Sequence, residues 1–207
     1  MRISVDDAGH IDLRIPLRCR LAEAEQFVQK HQDWILQQRE QKAQAHQQKS
    51  QSIALYGENL QIVPAPVRTF ELADQELQVP EHWSSEETIA RTDKWLREYA
   101  RADFQKRIDQ WWPGFSHLSK TKPTLRVKVM KTRWGSLSTR GYINLNRSLI
   151  HLQPEFIDLV VVHELCHLKH FDHGPGFQSL LASFIPDAQK LNRALNQVRF
   201  TGYSLDY

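Results

Sequence analysis

"VVHELCHLKHFDHGPGF", residues Val161 to Phe177, places four of the chain's ten histidines close together, with a glutamate directly after the first. On a helix, residues four apart share a face one turn apart, so His163 and His167 can direct two imidazoles at one ion while Glu164 flanks it. This H-E-x-x-H pattern lies in an apolar run, where an unpaired charged glutamate would be costly to bury, and metal binding accounts for it. Three imidazoles suit zinc, a borderline-soft ion, and a zinc site needs a third protein ligand.

His170, Asp172, His173 and Asp187 are the candidates for that ligand. His170 faces the same way as the first two, but at about 1.5 Å per residue it lies about 10 Å along the axis from His163, too far for one tetrahedral ion. The third ligand therefore follows a turn. His173, just before the Gly174-Pro175-Gly176 breaker, is placed to fold back. No glutamate follows Glu164 in the sequence, so a downstream glutamate ligand is excluded, and the two aspartates are weaker substitutes. Three neutral imidazoles leave one coordination position open, where zinc lowers the pKa of water toward about 7 and Glu164 can take its proton. Tyr203, Tyr142, Arg133 and His170 are alternative donors to a developing oxyanion. Cys166 and Trp111-Trp112 read as core, and Arg133-Trp134 as a hairpin end packed near the site.

Around this stretch the pattern is of mixed type. Pro154 opens the helix that carries the histidines; short helices follow from Phe177 to Phe184 and after Asp187, which can cap the last. Upstream, "TLRVKVMKTRWGSLSTRGYINLNRSLI" alternates twice about Gly135 to Gly141 and predicts a hairpin. Residues 84 to 112 predict a long amphipathic helix with a serine cap, stopped by Pro113. "IALYGENLQIVPAP" and "TFELADQELQVP" predict two strand pairs that extend an N-terminal hairpin turning at Gly9. A helix from about Leu21 gives way at residues 37 to 51, which carry almost nothing apolar and read as a linker. The expected class is α+β: an N-terminal hairpin and helix (1–48), a strand-rich segment of the same domain (49–83), and a largely helical catalytic region (84–207).

With 207 residues, 41% of them hydrophobic, the chain can bury its own core. Two cysteines cannot build a disulfide framework, the opening residues carry two acids where a secretory signal needs an apolar stretch, and no apolar run approaches the roughly 20 residues that cross a bilayer. These features point to a cytoplasmic protein with no membrane segment.

"RWGSLS" (133–138), "INLN" (143–146) and "VVVHELCHLKHFDHGPGF" (160–177) together resemble the YgjP-like metallopeptidase family, within the zincins. The resemblance spans nearly the whole chain. It implies a zincin-like fold, zinc held by His163, His167 and His173, Glu164 as catalytic base, and a peptide or protein substrate. It also implies that the strand "GYINLN" lies at an edge beside the metal, with Tyr142, Asn144, Asn146 and Arg133 as substrate-binding candidates. Leu137 stands where the family usually has a cysteine. His170 replaces the glycine of the metzincin pattern, and no methionine follows Met130, so the chain is not a metzincin.

From Gln110 to Pro154 there is no Asp or Glu, against Lys120, Lys122, Arg126, Lys128, Lys131, Arg133, Arg140 and Arg147. Such a field suits an anionic or nucleic-acid-associated substrate. The leading expectation is a zinc-dependent hydrolase of peptidase type. The alternatives are metal-dependent hydrolysis of a nucleotide phosphoanhydride, and a nucleic-acid-binding module with a structural zinc closed by four protein ligands.

Overall fold

Helix α4 (Pro154–Cys166) is apolar on nearly every side: Ile157, Leu159, Val160, Val161, Val162, Leu165 and Cys166 are all buried. A helix of that composition has no solvent face and must be surrounded. The structure, a computed structural model, describes residues 1–6, 10–16 and 19–198.

Four elements wrap α4. Helix α3 (Ser85–Trp111) begins at a capping box: Ser84 Oγ accepts from the Glu87 N–H (3.2 Å) and the Glu87 carboxylate accepts from the Ser84 N–H (3.1 Å). Its stripe Thr88, Thr92, Leu96, Ala100, Phe104 and Ile108 recurs every four residues and is buried. Two clusters fix it to the site-bearing half. Asp158 of α4 accepts from the Arg107 guanidinium (2.7 Å) and Trp111 Nε1 (2.9 Å), and buried Asp93 pairs with buried Arg147 (2.7 Å) and with Arg97. Helices α5 (Pro175–Phe184) and α6 (Ala188–Gln197) close the other flank. Asp187 stands at the α6 N-cap, but its side chain makes no capping bond.

The fourth element is a three-stranded sheet of β7 (Thr124–Lys128), β8 (Gly135–Leu137) and β9 (Tyr142–Asn146) in the order β7-β9-β8. The expected hairpin is only half of it: β8 runs antiparallel to β9, whereas β7 pairs with β9 in parallel. The loop between β7 and β8 crosses the sheet and is pinned by Asn146, whose Nδ2 donates to the Met130 carbonyl (2.7 Å) and the Arg133 carbonyl (3.1 Å). As the central strand, β9 has no free edge, so "GYINLN" is not the edge strand expected; β8 is.

The second sheet, β3 (Ser52–Leu55), β4 (Glu58–Ala65), β6 (Glu76–Pro80) and β5 (Glu71–Ala73) in that order, is separate from the N-terminal pair β1 (Arg2–Val5) and β2 (Ile11–Arg14) and does not extend it. The β1–β2 turn at Gly9 lies outside the described residues. Helix α1 (Leu21–Lys30) is followed by α2 (Gln32–Gln51), so the glutamine-rich residues 37 to 51 are helical, not a linker. Glutamine, lysine, arginine, glutamate and alanine are good helix formers and no glycine or proline interrupts them; low hydropathy removes packing, not the helix.

The β3–β4 turn docks onto the 3-10 helix Arg147–His151: the Tyr56 and Gly57 N–H groups donate to the Ile150 and His151 carbonyls (3.0 and 2.9 Å), and His151 Nδ1 donates to the Ala54 carbonyl (2.6 Å). Gly57 has φ +84°, and a Cβ there would lie 2.7 Å from Gln153 Cγ, so the turn requires glycine.

Burial, with Arg147 adding to it, holds the His151 pKa below its ordinary 6.5. The unfolded chain therefore binds the proton more readily. The stability contributed by neutral His151 is complete above about pH 6.5 and is lost as pH falls toward the depressed native value. Urea unfolding at pH 7.5 and 5.5 is expected to show a drop that shrinks in His151→Gln; an undiminished drop would remove His151 as its source.

Candidate metal centre

His163 lies on the last turn of α4 and His167 at its C-cap. Beyond Cys166 the chain tightens: the Leu168 N–H donates to the Leu165 carbonyl (3.0 Å), closing a 3-10-type turn that ends the helix. Asp172 then accepts the Gly174 N–H on Oδ1 (3.2 Å), and this turn carries His173 back over α4. A ligand atom from each of His163, His167 and His173 lies within 4.8 Å of the others, with Nε2 of His163 and His173 3.0 Å apart. Nitrogens on a tetrahedral zinc at about 2.0–2.1 Å are about 3.3 Å apart, so the donor set fits such an ion.

The surroundings prepare the imidazoles. His167 Nδ1 lies 2.9 Å from the His170 carbonyl, which can only accept; that nitrogen therefore carries the proton and Nε2 is left as the ligand atom. Burial, reinforced by His167 and His173, pushes the His163 pKa down to about 4, keeping it neutral. Phe177 of α5, buried, lies 4.8–4.9 Å centroid to centroid from all three rings. It does not line the cleft in front of the triad, so it closes the far side as an apolar floor.

Glu164 is 4% exposed, and burial pushes its pKa up to about 8, opposed by a bond from the Leu137 N–H and by Arg133. Its Oε2 is buried without a hydrogen-bond partner among the described residues. The carboxylate lies directly against β8: a Cβ on Gly135 would sit 2.5 Å from Glu164 Oε1. A cation held by the imidazoles acts in the same sense as Arg133, favouring the carboxylate form.

In front of the triad is a cleft of about 950 Å³ bounded by residues 132–133 and 135–141, Glu164, the three histidines, Leu168, Phe171, Ser119 and Thr121. Of the substrate-binding candidates, Arg133 lines it. Asn144 and Asn146 are buried and bonded to the backbone of residues 136, 130 and 133, while Tyr142 carries the Arg126 guanidinium on its ring; none of these three lines the cleft. Of the oxyanion-donor candidates, Arg133 again faces the cleft, the His170 ring lies against Gly176, and Tyr203 lies outside the described residues. Trp134 packs on the core, and Cys166 is buried within α4. Phe177 and the Leu137 N–H escape sequence reasoning: the first reads as an ordinary helix residue, and a backbone group carries no side-chain signal.

The family described as "YgjP-like, metallopeptidase domain" matches residues 1–198. Among solved structures, the metallopeptidase zymogen jannalysin of Methanocaldococcus jannaschii is similar at 18% identity and a TM-score of 0.41, covering 45% of this chain and 94% of its own. The metallopeptidase zymogen abylysin of Pyrococcus abyssi is similar at 21% identity and a TM-score of 0.37, covering 44% and 94%. No curated protein matches the chain.

Metal analysis of protein purified without chelator is expected to give about one divalent ion per chain. His163→Ala and His167→Ala abolish it, His173→Ala weakens it severely, and His170→Ala leaves it nearly intact, since only its backbone carbonyl serves the site. Full occupancy in His173→Ala, or loss in His170→Ala, contradicts the ligand set.

Proposed function

The chain belongs to the YgjP-like metallopeptidase family, and we propose that it is a zinc peptidase in which His163, His167 and His173 hold the ion and Glu164 accepts the proton of the attacking water. The observation that carries this is Glu164 itself: a carboxylate buried beside three convergent imidazoles, one oxygen unpartnered, at the back of an open cleft. When bound, zinc supplies a Lewis acid that polarises a carbonyl and lowers the pKa of water toward about 7. Three ligands and an open front favour a catalytic over a closed structural site.

The protein's own groups do the rest. Leu137 N–H holds one side of the Glu164 carboxylate, leaving Oε2 to take a proton and later return it to the leaving amine. The Asn146 N–H donates to the Trp134 carbonyl (2.8 Å) and the Ser138 N–H to the Tyr142 carbonyl (2.9 Å), so even-numbered residues of β8 pair with β9. By the alternation of an antiparallel pair, the backbone groups of Gly135 and Leu137 turn to the cleft. An extended peptide laid along this edge gains main-chain hydrogen bonds to the groups that Glu164 leaves free, the Gly135 N–H and the Gly135 and Leu137 carbonyls, without any demand on its sequence. The free cysteines Cys19 and Cys166 suit a reducing compartment such as the cytoplasm.

Glu164→Gln is expected to retain zinc and to lose peptide hydrolysis by about 100-fold or more, the usual contribution of a general base. Gly135→Ala, which drives a methyl into the carboxylate, should also retain zinc while turnover falls at least about tenfold. Turnover of a fluorogenic peptide mixture, with metal content measured in parallel, checks both. A Glu164→Gln protein as fast as the parent on any peptide removes Glu164 as base.

A further inference from the structure

We propose that Arg133 and Arg140 select polypeptide segments bearing acidic side chains on both sides of the bond to be cut; the proposal rests on the peptidase reading and names its substrate class.

The fold sorts the eight cations of the acid-free stretch. Arg147 is buried against Asp93, Lys122 pairs with Asp109 (2.5 Å), and the Arg126 guanidinium lies 3.3 Å from the centroid of the Tyr142 ring. Arg133 and Arg140 instead are exposed and line the metal cleft, with no ion pair to any described residue. Apart from Glu164, no Asp or Glu among the described residues lines that cleft. Two exposed guanidiniums in a concave wall where, among the described residues, buried Glu164 is the one carboxylate make a positive field, and each presents a planar fork that matches a carboxylate.

Their placement along the strand gives the pattern. Arg133 precedes β8 and Arg140 follows it, while Gly135 within β8 touches the Glu164 carboxylate. The two cations therefore bracket the catalytic carboxylate along the edge. At about 3.3 Å per residue, Arg133 stands only two positions before Gly135, and Arg140 lies in the turn at residues 138–141 that follows β8. A peptide extended on β8 meets one guanidinium on each side of its reacting bond. Phosphates would satisfy the same cations, but a single strand also needs aromatic platforms for its bases. Beyond the ligand imidazoles, the cleft offers one aromatic ring among the described residues, Phe171, whereas its wall carries the edge strand β8. The observations favour a peptide.

The test uses full-length zinc-loaded Glu164→Gln and fluorescence anisotropy at about 50 mM salt, where screening is weak. The probes are a labelled decapeptide with paired glutamates, its glutamine isostere, and a single-stranded DNA of equal charge. The glutamate peptide is expected to bind about tenfold tighter than the isostere, the value of one charge-assisted contact pair. That preference disappears in the Arg133→Gln/Arg140→Gln variant, whose zinc content reports its folding, and persists in Lys128→Gln, outside the cleft. Parent protein should cut the same peptide between its glutamates. Equal binding of the two peptides, a preference that survives in the double arginine variant, or tighter binding of the DNA overturns the proposal. Hydrolysis of peptides with no acidic preference sinks the proposal and keeps the peptidase; an arginine-dependent preference without hydrolysis of any peptide keeps acidic recognition and sinks the peptidase.

Discussion

The contact on which the site depends is between a carboxylate and a glycine. Glu164 is buried against the backbone of Gly135, close enough that one methyl group would collide with it. This requires a strand edge to approach a helix at van der Waals distance, which only a residue without a side chain permits. The approach does two things at once. It desolvates the carboxylate, and it brings the Leu137 N–H to one side of it, while Oε2 stays buried with no hydrogen-bond partner among the described residues. Burying an acid is costly unless something repays it; here an N–H, a nearby guanidinium and three imidazoles able to hold a cation surround it.

Such an approach is maintained from both sides. Behind α4, Phe177 fixes the three imidazoles from their apolar face, and Asp158 ties α4 to Arg107 and Trp111 of α3. In front, Asn146 holds the loop entering β8 by two carbonyls, and Asn144 bonds to Ser136 within β8. The pairing of buried Arg147 with Asp93 secures the 3-10 helix between β9 and α4. A buried ion pair is weak evidence of net stability, because desolvation offsets its attraction. What these contacts provide is a fixed relation between β8, β9 and α4, and a site whose reacting groups must be held to about 0.5 Å depends on that relation. The asparagines, candidates for substrate contacts by resemblance, serve the scaffold beneath the cleft.

Local rules made much of this legible. The i, i+4 spacing places His163 and His167 on one face, the need for a turn after them singles out His173, and the Ser84 capping box with Pro113 frames α3. What escaped depends on long-range pairing or on backbone. Alternation in "TLRVKV" and "GYINLN" announces strands but not that they run parallel with a third strand inserted at the far edge, because a parallel pair needs a crossover that leaves no mark on either strand. Placing β9 at the centre moved the available edge to β8, three residues with no sequence signal beyond their glycine. Residues 37 to 51 show the opposite error, in which a lack of apolar residues hid a helix that propensity alone supports.

The fold gives the basic stretch a direction that its sequence lacks. In sequence the acid-free stretch is a uniform run of eight cations, and a uniform field says only that its partner is negative. Folding consumes some of these charges and aims others. Arg147 is buried as structure and Lys122 is tied to α3, and neither can serve a ligand without breaking an existing pair. Arg133 and Arg140, with no ion pair to any described residue, flank the strand whose first residue touches Glu164. A guanidinium without an ion pair, in a cleft whose one carboxylate among the described residues is buried Glu164, exerts its field on whatever enters. Selectivity in this cleft is therefore a property of which cations the scaffold left unused, and the same turns that built β8 determined that choice.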